Sequence, residues 1–111
     1  MSDNPVFKQI EELINNNDIV LFMKGNPKFP QCGFSAVVVK ILQDARVPFQ
    51  DVNILMDQDL RQGIKDFSDW PTIPQLYVKG EFIGGCDIIK EMAEEGELEA
   101  LFTEKGIKKA N

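Results

Sequence analysis

Lys24-Gly-Asn-Pro-Lys-Phe-Pro-Gln-Cys-Gly-Phe-Ser35 stands between the apolar run Ile19-Val-Leu-Phe-Met23 and the segment Ser35-Ala-Val-Val-Val-Lys-Ile-Leu-Gln-Asp-Ala45. Ile19 to Met23 is short, continuous and rich in β-branched and aromatic residues, as a buried strand is, and Asn15-Asn-Asn-Asp18 supplies the turn before it. The apolar spacing after Ser35 predicts a packed helix to Ala45, which puts Cys32 in its first turn or just before it. There, unpaired backbone N–H groups and the positive end of the helix dipole favour thiolate over thiol, and Lys24 and Lys28 are close enough in sequence to add positive charge. A lone cysteine is often a small buried hydrophobe. Here Pro30 stiffens the approach and Gly33 removes a side chain beside the sulfur, leaving room for a partner's backbone or a second sulfur; a buried filler needs neither. The second cysteine of a C-x-x-C redox pair would fall at position 35, which is serine. One-thiol chemistry follows: a mixed disulfide with an outside thiol, or a thiolate held ready for a metal.

A chain of 111 residues can build one core but not two ordinary domains, so residues 1–111 are read as a single domain. With 43% hydrophobic and 27% charged residues the composition is that of a globular protein. No apolar run is long enough to span a bilayer, and Met1 to Lys8 lacks the pattern of a signal or transit peptide, so a reducing, cytoplasmic setting without membrane attachment is expected. A net charge of −6 without a basic patch argues against nucleic acid as a partner. The absence of histidine removes His-based acid/base catalysis, Ser-His and Cys-His nucleophile pairs and the commonest metal ligand. Any metal must be held by sulfur or carboxylate.

Outward from the cysteine loop, Val6, Ile10, Leu13 and Ile14 have helical spacing, with Asn4 as the expected N-cap and Pro5 at the first helical position. After Arg46-Val-Pro48, Phe49 to Leu55 offers a second strand, giving a βαβ unit whose two strands should be parallel. Asp57 to Phe67 reads as a helix with Leu60, Ile64 and Phe67 inward and Arg61, Lys65 and Asp66 outside. Trp70-Pro-Thr-Ile-Pro74 stops it. Gln75 to Val78, Lys79-Gly80 and Glu81 to Ile83 form a hairpin with a two-residue turn. Gly84-Gly-Cys-Asp87 punctuates a helix over Ile88 to about Glu94, with Asp87 as N-cap or first-turn acid, and Glu97 to Lys105 adds another helical segment. The tail 106–111 is expected to fray. Cys86 has three readings: buried filler or backbone contact, which is preferred; a disulfide partner for Cys32; or a metal ligand, for which its spacing from Cys32 matches no zinc pattern.

The motifs Lys24-Gly with Pro-x-Cys32-Gly-Phe-Ser35, Trp70-Pro-Thr-Ile-Pro74 and Gly84-Gly-Cys-Asp87, in this order on this layout, resemble the single-domain monothiol glutaredoxins of the CGFS type, from about residue 10 to 104. The resemblance implies an α/β thioredoxin-like (glutaredoxin) fold, a four-stranded mixed β-sheet flanked by α-helices. It implies a cis Pro74 beside the active cysteine, with the Ile73 backbone free to pair with an extended peptide. It implies a glutathione site. There Lys24 and Arg61 take the glycine carboxylate, Ile73 pairs with the cysteinyl backbone, and the helix start at Cys86 and Asp87 holds the other carboxylate and the ammonium. Trp70 is read as core, Phe34 as core or site wall. It further implies a [2Fe–2S] cluster bridging a homodimer through Cys32 of each chain and two glutathiones, for transfer to acceptor proteins, with BolA-like proteins as partners. The enzymatic alternative is a glutathione-dependent thiol–disulfide oxidoreductase using Cys32 alone, an activity that is weak in members of this type.

Overall fold

All residues of strand β1 (Ile19–Met23) are buried, because the strand runs through the middle of a sheet covered on both faces. The structure, a computed structural model, describes residues 4–109. β1 pairs in parallel with β2 (Gln50–Asn53) and antiparallel with β3 (Gln75–Val78), and β3 pairs antiparallel with β4 (Glu81–Gly84). The four-stranded mixed sheet therefore has the order β2-β1-β3-β4. Successive side chains of a strand point to opposite faces, and β1 divides its own accordingly. Ile19, Leu21 and Met23 join Val38, Leu42, Ile89 and Phe102 of helices α2 (Gly33–Asp44), α4 (Cys86–Glu94) and α5 (Glu97–Glu104). Val20 and Phe22 join Ile10, Ile14, Leu60 and Ile64 of α1 (Pro5–Asn16) and α3 (Gln58–Ser68) on the other side.

The ends of these elements have local causes. The Asn4 side chain accepts the Val6 N–H at 3.0 Å and Pro5 takes the first position of α1, where a missing N–H costs nothing. Asp57 caps α3 by accepting the Leu60 N–H at 3.1 Å. Lys79 and Gly80 both have positive φ, 52° and 80°, as a two-residue hairpin turn requires. The larger differences from the expected boundaries are at the end of β2 and the starts of α2 and α4. β2 ends at Asn53 rather than Leu55, because the Asn53 carboxamide accepts the Leu55 N–H at 3.0 Å and folds Ile54–Met56 into a 3-10 turn. α2 begins at Gly33 with Cys32 as N-cap, and α4 begins at Cys86 with Gly85 as N-cap, so Asp87 is a first-turn acid. In the tail, Ile107 packs on the α2 side of the core, and the Lys109 ammonium donates to the Ala45 carbonyl and the Glu99 carboxylate. Residues 110–111 lie outside the described residues.

Candidate functional site

The chain leaves β1 at Lys24 and returns to α2 through a closed loop. Gly25 has φ +87°, and a Cβ there would stand 2.5 Å from the Phe29 carbonyl, so only glycine allows the loop to fold back this tightly. Asn26 closes the tip by accepting the Lys28 and Phe29 N–H groups, each at 3.0 Å. The Gln31 N–H then donates to the Lys24 carbonyl at 2.9 Å. Cys32 follows in extended conformation (φ −151°, ψ 134°) as the N-cap of α2.

Burial acts to raise the Cys32 thiol, but the N–H groups of Ser35 and Phe34, the Lys24 charge and the Ser35 hydroxyl outweigh it, and the net effect is a lowered pKa. Ser35 is wholly buried, and its oxygen accepts the Lys24 N–H at 3.1 Å. Serine at this position thus has a structural task of its own, joining the end of β1 to the first turn of α2. Lys28 is exposed on the loop and takes no part in the cleft described next.

Cys32 opens onto a cleft of about 410 Å³. Lys24 and Phe34 stand on its β1–α2 side, Lys65 reaches it from α3, and Trp70 to Pro74 together with Gly85 to Ile88 at the start of α4 complete its lining, Gly85 standing close against Trp70 and Pro74. The Ile73–Pro74 peptide bond is cis. Ile73 belongs to the buried cluster with Ile10, Phe22 and Tyr77 and also lines the cleft. The first N–H groups of α4 have no carbonyl partner within the helix and carry the positive end of its dipole. Cys86 behaves differently from Cys32. Burial raises its thiol, and the charges of Asp87 and Cys32 raise it further against a smaller opposing effect of Lys90. Both cysteines are free thiols.

Of the residues singled out from the sequence, Lys24, Cys32, Ile73, Cys86 and Asp87 meet in this cleft, whereas Arg61 does not line it. Lys65, one turn further along α3, does. Residues four apart share a helix face, but the apolar spacing of α3 puts both Arg61 and Lys65 on its outer face. Phe34 is a site wall, 63% exposed. Trp70, expected in the core, also lines the cleft, with its ring 5.8 Å from Phe82 and a buried Nε1–H that has no partner.

The chain matches the family model described as Glutaredoxin over residues 19–83. It is 55% identical over 101 residues to a probable monothiol glutaredoxin 2 of Rickettsia conorii, covering 91% of this chain and 94% of that one. Among solved structures it is similar to a monomeric truncated mutant of Trypanosoma brucei 1-C-Grx1, with a TM-score of 0.86 and 36% identity over 95% of this chain and 96% of that one. It is also similar to a buckwheat glutaredoxin–glutathione complex, with a TM-score of 0.80 and 25% identity over 92% of this chain and 91% of that one. A thioredoxin-like sheet, one reactive thiol at the α2 N-cap with serine three residues on, and relatives of this kind lead to one assignment: the chain belongs to the glutaredoxin family, among its monothiol members.

Proposed function

We propose that this chain binds glutathione in the Cys32 cleft and carries a [2Fe–2S] cluster as cargo for acceptor proteins, two chains holding the cluster between them through Cys32 of each and two glutathione thiols. The observation that carries the reading is the cleft itself, which the activated thiol of Cys32 shares with two lysines and the N-terminus of α4. Glutathione has a glycine carboxylate for Lys24 and Lys65, a cysteinyl amide for the Ile73 main chain, and a second carboxylate for the N–H groups at Cys86 and Asp87. Its ammonium faces the Asp87 carboxylate. Arg61 adds long-range positive charge from the same helix as Lys65. The buckwheat glutaredoxin solved with glutathione supports a ligand of this class.

The donor set suits a shared cluster. Among the described residues no group of three or more cysteine or acidic side chains could hold a metal within one chain, and of the two thiols only Cys32 is shifted toward thiolate. A cluster wants four thiolates, so one from each of two chains leaves two places for a small thiol. Free cysteines and a cleft built for a cellular thiol fit a reducing compartment such as the cytoplasm, and iron–sulfur acceptors and BolA-like proteins are the proposed partners.

The lowered pKa of Cys32 also favours a second reading, removal of glutathione from protein mixed disulfides. The Cys32 thiolate attacks the glutathione sulfur, the S–S bond breaks, and the protein thiolate leaves and takes a proton from water. A second glutathione thiolate then releases Cys32 as thiolate and leaves as glutathione disulfide. Anaerobic purification with a visible absorption spectrum, acid-labile sulfide and bound glutathione measured together separates the two. Sulfide and glutathione in equal amounts in a coloured dimer support the carrier. A colourless monomer that resists reconstitution with iron, sulfide and glutathione, yet turns over glutathionylated substrate, supports the oxidoreductase.

A further inference from the structure

Gln75 is one of two wholly buried polar residues among those described, the other being Ser35. It opens β3 opposite Phe22 in the antiparallel register, and the rest of the strand is Leu76, Tyr77 and Val78. An amide taken out of water costs stability unless its atoms are hydrogen-bonded, and an apolar side chain would fill the same place without that cost. The bonds that Gln75 makes show where the amide acts. Its Nε2 donates to the Trp70 carbonyl and to the Thr72 carbonyl, each at 3.1 Å, and its Oε1 accepts from the Tyr77 hydroxyl at 3.4 Å. Trp70 is held from its other side as well, its N–H donating to the Ser68 hydroxyl at 3.1 Å and to the Lys65 carbonyl at 3.2 Å. The Trp70 Nε1–H, by contrast, is buried without a partner, and Pro71 and Thr72 are exposed. The hydrogen bonds that restrain this segment are thus to its main chain. Trp70 to Pro74 all line the Cys32 cleft, and Gln75 behind them does not.

We propose that Gln75 is a positioning residue for the cleft: from inside the core its carboxamide holds the Trp70 and Thr72 carbonyls, and so sets the shape of the wall that a ligand meets. An amide NH2 group has two hydrogens, and here each has its own carbonyl, the two lying two residues apart in the chain. The stretch from Trp70 to Thr72 is thereby closed over a single nitrogen. Without that nitrogen both carbonyls lose this donor, and the wall gains freedom that a ligand must remove when it binds. Such ordering is set against the energy of the contacts and shows as lost affinity. Gln75 touches no ligand in this arrangement; it acts through the main chain it holds. The effect on affinity rests on the proposed binding of glutathione, whereas the hold on Trp70 does not.

Trp70 is the single tryptophan of the chain, so its fluorescence reads the wall directly. In the full chain, Gln75→Met keeps a side chain of similar length with no donor. It is expected to shift the Trp70 emission to longer wavelength and to make it more open to quenching by acrylamide. It should also raise the Kd for glutathione, measured by calorimetry, by between about threefold and tenfold. Asn17→Ala is the structural control. It breaks a partly buried bond outside the cleft, from Asn17 Nδ2 to the Leu13 carbonyl at 2.9 Å, and should lower stability in urea while leaving the emission and the Kd in place. Gln75→Asn, whose amide is one methylene short of both carbonyls, covers the case in which Gln75→Met does not fold, and should move both readings in the same direction. If the unmodified chain takes up no glutathione and Gln75→Met still loosens Trp70, the glutathione reading fails and the hold on the wall stands. Emission and quenching unmoved in the folded variants, or a Kd unmoved while stability falls, would overturn the proposal and leave Gln75 a residue of the core alone.

Discussion

A thiol at the head of a helix gains from the positive end of the dipole, and at Cys32, the N-cap of α2, the N–H groups of Ser35 and Phe34 act to lower the pKa against the effect of burial. Cys86 also begins a helix but lies inside it, beside Asp87, and its thiol is raised. Iodoacetamide should therefore modify Cys32 at a pH below that of an ordinary cysteine, and Cys86 only above it. Mass spectrometry across a pH series checks this, and equal reactivity of the two thiols would refute it. The cations divide in a similar way. Lys24→Ala and Lys65→Ala should each weaken glutathione binding by on the order of 1 kcal/mol, since each removes a charge-assisted contact that remains partly in water. Arg61→Ala should cost less, because Arg61 stands a turn away from the cleft. Calorimetric titration orders the three, and a larger loss at Arg61 than at Lys65 would return the carboxylate to the position expected from the sequence.

The elements that could be read from the sequence were those whose signal is local. β1 and β3 have their expected limits, since runs such as Ile19-Val-Leu-Phe-Met23 bury every side chain and have no competing period. The ends of β2 and the starts of α2 and α4 were missed by a few residues, each because a contact or cap not written in the periodicity decides it. The Asn53 carboxamide and the N-cap roles of Cys32 and Gly85 are three such cases. The contacts of the tail are tertiary and have no local signal: Lys109 donates to the Ala45 carbonyl, 64 positions away. β3 also carries a consequence for stability. Tyr77 packs its ring 5.6 Å from Phe22 and 5.4 Å from Phe82, and burial pushes its phenol from 10.0 up to about 12, only partly countered by Ser68. The unfolded chain loses this proton first. Stability held below about pH 10 should therefore fall as pH rises through about 12, at up to roughly 1.4 kcal/mol per pH unit. Urea unfolding from pH 9 to 12 should show this decline, and Tyr77→Phe should flatten it; an unchanged slope would mean that lysines and the other acids control alkaline unfolding.

At the scale of the whole molecule, the fold joins chain segments that are far apart in sequence into one cleft with two sulfurs, and the main question is which sulfurs a cluster would use. Two chains contain four cysteines, so Cys32 and Cys86 of both could make an all-protein site without glutathione. The two thiols are close enough for the charge of one to raise the other. Their environments nevertheless pull apart. Cys32 is drawn toward thiolate at an open helix cap, while Cys86 is held protonated by burial and Asp87 and packs against the core on the α2 side. A metal ligand must be deprotonated, so recruiting Cys86 would require removing its proton against its surroundings and drawing it away from its packing. A glutathione thiol has neither obstacle. Cys86→Ser should accordingly still assemble a cluster-bearing dimer when iron, sulfide and glutathione are supplied, Cys32→Ser should assemble none, and the unmodified chain should fail without a small thiol. Visible absorption together with gel filtration reads all three. A stable cluster dimer formed by the unmodified chain without glutathione, and lost on Cys86→Ser, would establish the four-cysteine site instead, with Cys86 acting as a ligand despite its raised pKa.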